Sequence, residues 1–248
     1  MQNRWFTRWL CGVENGIEHD PPFAIVREGG KRSELTTYAD WPNPDAKPIT
    51  LRPRAGGLGI GALDAGPTAD TAKETLVDDV EKTGTTLAKA AKSEHRLLYA
   101  LPKLTAPLHI SGTPKLTVRV ACDKPAANLS VWLVSLPWKG GRSVGGDIVT
   151  RGWADPRNHS SIDDEAPLEP GRFYDLTFEL EPDDQVDRDR TARHQGRQGG
   201  IEAAIGPVLD VAEVVAIDLV WNRSVAIDFY VSDIRVKRHV AIISQTFS

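Results

Sequence analysis

Apolar and polar residues alternate most cleanly at Leu116-Thr117-Val118-Arg119-Val120-Ala121. A period of two is what a strand produces when one face lies in a core and the other in water. A second run, Leu129 to Leu136, follows the turn Asp123-Lys124-Pro125, and Ile148 to Trp153, Arg172 to Leu180, Val214 to Trp221 and Ala226 to Val236 continue the series. Short apolar-patterned segments broken by Gly, Pro and Asp turns predict an antiparallel β-sandwich. No fixed-period repeat and no alternation of strands with helices is present. The phase of the pattern places Val118, Val120, Val131, Leu133, Phe178, Leu219 and Phe229 inward.

The period changes at the start of the chain. Trp5, Phe6, Trp9 and Leu10 fall at helical spacing, with Arg4 and Arg8 off that face, and Gly12 supplies a stop. A helix of this length is marginal alone in water, so the spacing predicts a docking surface formed by Trp5, Phe6 and Trp9. Short strands and turns are expected from Pro21 to Gly66, including Phe23 to Arg27 and Ile49 to Arg52. Gly56 to Pro67 holds five glycines and reads as loop. A short helix is expected near Thr85 to Lys92, inside a long excursion covering residues 56–96. Asp183 to Gly200, dense in Asp, Arg and Gln, reads as an exposed polar loop.

Composition narrows the function classes. The 248 residues are 40% apolar and 26% charged, enough for a core. A net charge of −4 offers no general attraction for nucleic acid or anionic lipid. No apolar run has the length of a membrane span, and the first ten residues lack the apolar stretch of a secretion signal. The expected setting is therefore cytoplasmic, with no membrane partner. Cys11 and Cys122 fit neither a disulfide framework nor a metal spacing; two buried free thiols are expected. No cofactor or metal is implied.

Three groups of residues invite a chemical reading. Gly141-Arg142-Ser143-Val144-Gly145 fits the nucleophile pattern G-x-S-x-G, but that chemistry needs a strand-to-helix turn. Here strands flank the motif on both sides, so a hairpin loop is expected. Asp155, His159, Ser160 and Asp163 contain the residue types of a triad, crowded too closely in sequence for its geometry. The acidic clusters Asp78-Asp79, Asp163-Asp164-Glu165 and Asp183-Asp184 lack the order of a calcium loop and are expected to be solvated turns. Trp132 and Trp221 lie within alternating strands and are expected in the core, whereas Trp138 and Trp153 stand at strand ends as rim contacts.

Several segments resemble one family. Arg4-Trp5-Phe6-Thr7-Arg8-Trp9-Leu10 and the Tyr38-Ala39-Asp40-Trp41-Pro42 segment are similar to the junction between the two parts of X-Pro dipeptidyl-peptidase and cocaine-esterase-like hydrolases. Leu97 to Pro102, Pro107 to Pro114, Val149 to Pro156 and Leu168 to Tyr174 continue the resemblance in order, over about residues 2–186. It implies a C-terminal jelly-roll β-sandwich of galactose-binding-like type, preceded by a short helix, and packed on an α/β-hydrolase catalytic domain. By that resemblance residues 1–22 correspond to the end of the catalytic domain and residues 23–248 to the jelly roll. The family's serine, acid and histidine precede the Arg-Trp-Phe helix, so none maps onto this sequence. Beyond Gln185 the sequence departs from the family's pattern, and Ala226 to Val236 resembles the last strand of carbohydrate-binding jelly rolls.

Three functions follow as expectations. The first is a non-catalytic C-terminal β domain of a peptide or ester hydrolase, inactive alone, with self-association through its helix. The second is a carbohydrate-binding module. The third is a self-contained esterase using Ser143.

Overall fold

The structure is a computed structural model. It describes residues 2–26, 33–66, 74–75, 77–79, 81–102, 104, 108–138 and 142–187, and the backbone of strands at 226–230 and 239–246. The chain is mainly β. Helix α1 (Gln2–Cys11) opens it, followed by strands β1 (Phe23–Ile25), β2 (Thr36–Tyr38), β3 (Pro48–Arg54) and β4 (Gly61–Asp64). Helix α2 (Gly84–Lys89) precedes β5 (Leu98–Ala100), β6 (Leu108–Gly112), β7 (Lys115–Val120), β8 (Leu129–Leu136), β9 (Ile148–Ala154), β10 (Tyr174–Glu179), β11 (Asp183–Asp187), β12 (Ala226–Tyr230) and β13 (His239–Thr246).

Nine strands form one ladder in the order β10-β7-β12-β3-β4-β5-β13-β8-β9, antiparallel except for β4 with β5. Laid flat, eight steps of about 4.8 Å would hold its ends about 38 Å apart. Instead Leu116, Val118, Val120, Leu176 and Leu129, Val131, Leu133, Val149 share one buried cluster with Leu51, Leu63 and Tyr99. The sheet is therefore folded over on itself into two facing layers, the arrangement of a β-sandwich. Its ends meet at Gly152, where a Cβ would stand 2.9 Å from the Glu179 carbonyl oxygen, and Glu181 N–H donates to the Arg151 carbonyl at 2.8 Å. Any larger residue at Gly152 would push the two ends apart.

The alternation at 116–121 acts as expected. Leu116, Val118 and Val120 are buried, and the opposite face of β7 pairs with β10 through water-facing side chains. Lys115 meets Glu179 at 2.6 Å, Thr117 meets Thr177 at 3.0 Å and Arg119 meets Asp175 at 3.5 Å. Such cross-strand pairs each add up to about 1 kcal/mol and fix the register. β8 differs, because both its faces are covered. Leu129, Val131 and Leu133 enter the main core, while Val134 and Leu136 join a second cluster with Ala88 of α2, Leu98 and Val144. Phe178 is only partly buried against the main core, and Leu219 and the side chain of Phe229 lie outside the described residues.

Four expectations need correction. Gly61–Asp64 is a strand within the glycine-rich stretch that reads as loop, because β3 and β5 supply its hydrogen-bonding partners. Asp183–Asp187, read as the start of a polar loop, pairs with β6; residues 188–200 lie outside the described part, as does the strand expected at Val214 to Trp221. The short helix spans Gly84–Lys89 rather than reaching Lys92, with Thr83 as its cap, accepting from Thr86 N–H at 3.3 Å. Cys122 is buried, but Cys11 is exposed, since no residue of α1 is buried.

Candidate functional site

The G-x-S-x-G match does not build a nucleophile elbow. Ser143 is exposed on the connection between β8 and β9, and its Oγ accepts the Gly145 N–H at 3.1 Å, a local turn contact. The three-residue 3-10 turn Gly145–Asp147 that follows leads straight into β9, with no helix to stabilise an oxyanion.

The His159 neighbourhood is likewise structural. Asp155 caps a 3-10 turn, accepting from Arg157 N–H at 2.9 Å and from Arg157 Nη2 at 2.5 Å. Burial raises its carboxyl, but the hydrogen bonds and charge of Arg157 outweigh this and hold it below the ordinary carboxylate range. His159 Nδ1 lies 3.1 Å from the Pro156 carbonyl, and its ring packs on Tyr174 at 4.4 Å. Asp155 is thus committed to Arg157, which also pairs with Glu165. Among the described residues no group of three or more His, Cys, Asp or Glu is placed to hold a metal ion.

What the chain presents outward is aromatic. Trp5, Phe6 and Trp9 are 50%, 52% and 55% exposed. Trp5 contacts Phe6 edge-on at 5.4 Å and Trp9 at 6.5 Å, so the three form a continuous patch. The helix is held in a small cassette. Arg4 bonds Asp20 at 2.7 Å and the Asn15 carbonyl at 3.0 Å, Asn15 Nδ2 returns a bond to the Arg4 carbonyl at 2.7 Å, and Arg8 pairs with Glu18 at 3.0 Å. Gly12, at φ 68°, adopts the left-handed conformation that ends the helix, and Val13 N–H donates to the Thr7 carbonyl at 3.2 Å. The arginines of α1 are thereby paired with the 15–20 segment, and the aromatic side stays half-exposed.

The other tryptophans separate. Trp153 is 51% exposed, with the Arg151 guanidinium 5.1 Å above its ring. Trp138 is half-buried, packed on the second cluster at one side of a groove of about 590 Å³. That groove runs between Ile60, Ala91, Leu101 and Pro102, and its lining is mostly apolar. Trp132, expected in the core, is half-buried against the second cluster rather than the first. Trp221 lies outside the described residues.

Three buried polar groups carry no signal in the sequence. Arg96, fully buried, donates to the carbonyls of Leu87 (2.9 Å), Gly59 (3.1 Å) and Ala90, tying the end of α2 to the glycine-rich segment. Glu74 accepts Gly56 N–H at 2.8 Å, Gly57 N–H at 2.9 Å and the Tyr99 hydroxyl. Asp184, expected in a solvated turn, is only 4% exposed; it contacts His109 Nε2 at 2.9 Å and accepts the Tyr38 hydroxyl at 3.1 Å. In each case the partners are distant in sequence or are backbone groups, so nothing local marks the residue.

Comparison with known proteins places this sandwich in a family. Residues 15–186 match the model of the X-Pro dipeptidyl-peptidase C-terminal non-catalytic domain. The chain is 48% identical over 188 residues to a protein of Rhodopirellula baltica and 34% identical over 187 residues to one of Bacillus anthracis, both provisionally named Xaa-Pro dipeptidyl-peptidases. These alignments cover 75% of this chain in each case, and the chain spans about 30% of the length of either relative. Among solved structures, an aminopeptidase of a marine-sediment Thaumarchaeota archaeon superposes with a TM-score of 0.56 at 14% identity, over 98% of this chain and 41% of its own. A CocE/NonD family hydrolase of Staphylococcus aureus gives 0.54 at 12% identity, over 98% and 44%. The fold is thus one found as a part of larger hydrolases, and the sequence match is to the part named as non-catalytic. The chain belongs to the family of X-Pro dipeptidyl-peptidase C-terminal non-catalytic domains.

Proposed function

We propose that the chain works as a bracing domain for an α/β-hydrolase catalytic domain, with the Trp5, Phe6 and Trp9 face as the docking surface. The observation that carries this reading is a helix with no buried residue and three adjoining exposed aromatics. Full burial of a large apolar side chain is worth about 1.5–3 kcal/mol, of which about half remains available here because each aromatic is only about half exposed, and contiguous exposed apolar surface of this kind marks interfaces. In this reading residues 1–22 correspond to the close of the catalytic domain and residues 23–248 to a jelly roll of galactose-binding-like topology. Trp138 and Trp153 are secondary contacts on its rim. The setting is cytoplasmic; among the described residues no helix is long and apolar enough to cross a membrane. Where the catalytic partner is missing, the same face drives self-association.

The test is a binding measurement between this chain and the first 70% or so of the Rhodopirellula baltica relative, the part the match leaves uncovered. Saturable binding that weakens at least tenfold in the Trp5→Ser plus Trp9→Ser double variant is expected. Equal binding by the double variant, or none by either chain, would remove α1 as the docking element.

A further inference from the structure

β6 is buried on both faces, and its two faces have opposite chemistry. Leu108 and Ile110 enter the main core. His109 and Ser111 point the other way and are equally inaccessible, at 0% exposure. On that side they meet the segment at 36–46 and the Asp184 side chain of β11. Tyr38 donates its hydroxyl to Asp184 Oδ2 at 3.1 Å, and Asn43 N–H donates to Ser111 Oγ at 3.1 Å. Asp184 stands opposite Ser111 in the β6–β11 register, and its second oxygen meets His109 Nε2 at 2.9 Å. Asp184 thus divides its carboxyl between the Tyr38 hydroxyl and the His109 ring. The far nitrogen, Nδ1, is buried without a hydrogen-bond partner among the described residues. The imidazole is therefore held from one side, by Asp184.

Tyr38 also ends β2, directly opposite Phe23 of β1. β1 follows the cassette that Arg4, Arg8 and Asn15 close around α1. The path from α1 to the sandwich thus runs through the cassette, the β1–β2 pair and Tyr38 into a buried carboxylate. We propose that Tyr38, Asp184 and His109 form a latch that fixes the 36–46 strap on the polar face of β6, and through it sets the orientation of α1 relative to the sandwich. These are positioning residues. The inference rests on α1 being the docking element, since orientation matters only if α1 meets a partner.

Cys11 makes the latch observable. It is exposed on α1, whereas Cys122 is buried, so a thiol-reactive dye labels the cassette alone. The full chain would be labelled and compared with Tyr38→Phe, His109→Leu and His109→Gln by dye anisotropy at nanomolar concentration and by hydrogen exchange. Loss of one buried hydrogen bond in Tyr38→Phe or His109→Leu should raise exchange of amides 36–46 about fivefold or more and lower the anisotropy. Amides of β7 and β10 should stay unchanged. His109→Gln, which supplies a side-chain N–H donor, should recover both readouts. Unchanged strap exchange, exchange rising equally in every strand, or strap release with unchanged anisotropy would each overturn the latch. Tyr38→Phe alone decides the matter if His109→Leu does not fold. Failure of the docking reading is separate, because it shows in partner binding by the unmodified chain.

Discussion

At the scale of single residues, burial rather than residue type decides what each polar group does. Arg96 is a cation with three backbone carbonyls as partners, and burial lowers its pKa. Replacing it by Met keeps the stem but takes the Arg96 donors from the part-buried Gly59 and Ala90 carbonyls, each loss worth about 1–3 kcal/mol, while the Leu87 carbonyl keeps the Ala90 N–H. Arg96→Met should therefore destabilise the chain by about 3 kcal/mol or more, read as a lowered urea midpoint. Asp155 sets a pH dependence. Its carboxyl is held below the ordinary value by Arg157, so its contribution is fully present above about pH 4 and is lost as pH falls through the folded-state value. Asp155→Ala should cost about 1 kcal/mol at pH 7. The gap between the melting curves of parent and variant should close progressively below about pH 4. A gap that persists unchanged at pH 2 would contradict this account.

At the scale of elements, two surfaces show how differently the same chain meets water. The β7–β10 face carries paired charges and threonines in register, which suits solvent and discourages docking. Helix α1 pairs its arginines with Glu18 and Asp20 and leaves its aromatics about half exposed. Sedimentation of the isolated chain should accordingly show concentration-dependent self-association. Deleting residues 1–11, or combining Trp5→Ser with Trp9→Ser, should return a monomer. A parent chain that stays monomeric at high concentration would count against the aromatic face as an interface. The helix itself was legible in the sequence because helical spacing and a stop at Gly12 are local signals. The cassette that fixes it was not, because Arg4 finds its acceptor sixteen residues away.

At the scale of the whole molecule, the fold supplies a core and surfaces but no assembled nucleophile, base and oxyanion site among the described residues. Because the sequence matches a domain named as non-catalytic and Ser143 sits in a local turn, the purified chain should leave X-Pro peptide amides and activated esters unhydrolysed above background, and Ser143→Ala should change nothing. A rate that Ser143→Ala abolishes would overturn the reading of that connection as a turn. Cavity formation should instead dominate the response to core variants. Leu133→Ala, at a position with no exposure in the centre of β8, should cost about 2–5 kcal/mol.

The amino-acid sequence by itself determined the local patterns: the alternation that makes β7 and β10, the apolar runs of β8 and β9, the helical spacing of α1, and the ordered segments that mark the family. Each depends on residues a few positions apart, and one face toward apolar matter is enough to impose it. Tertiary structure alone decided which strands are neighbours, and several properties depend on that. Gly61–Asp64 becomes a strand only because β3 and β5 offer their backbone groups. β8 is covered on both sides only because α2 and Val144 lie over its outer face. Asp184 is buried only because Tyr38 and His109, at separations of 146 and 75 residues, reach the same carboxylate. A hydrogen bond between groups so far apart leaves no period in the sequence, since its partners are brought together by chain closure around the core rather than by spacing along the chain.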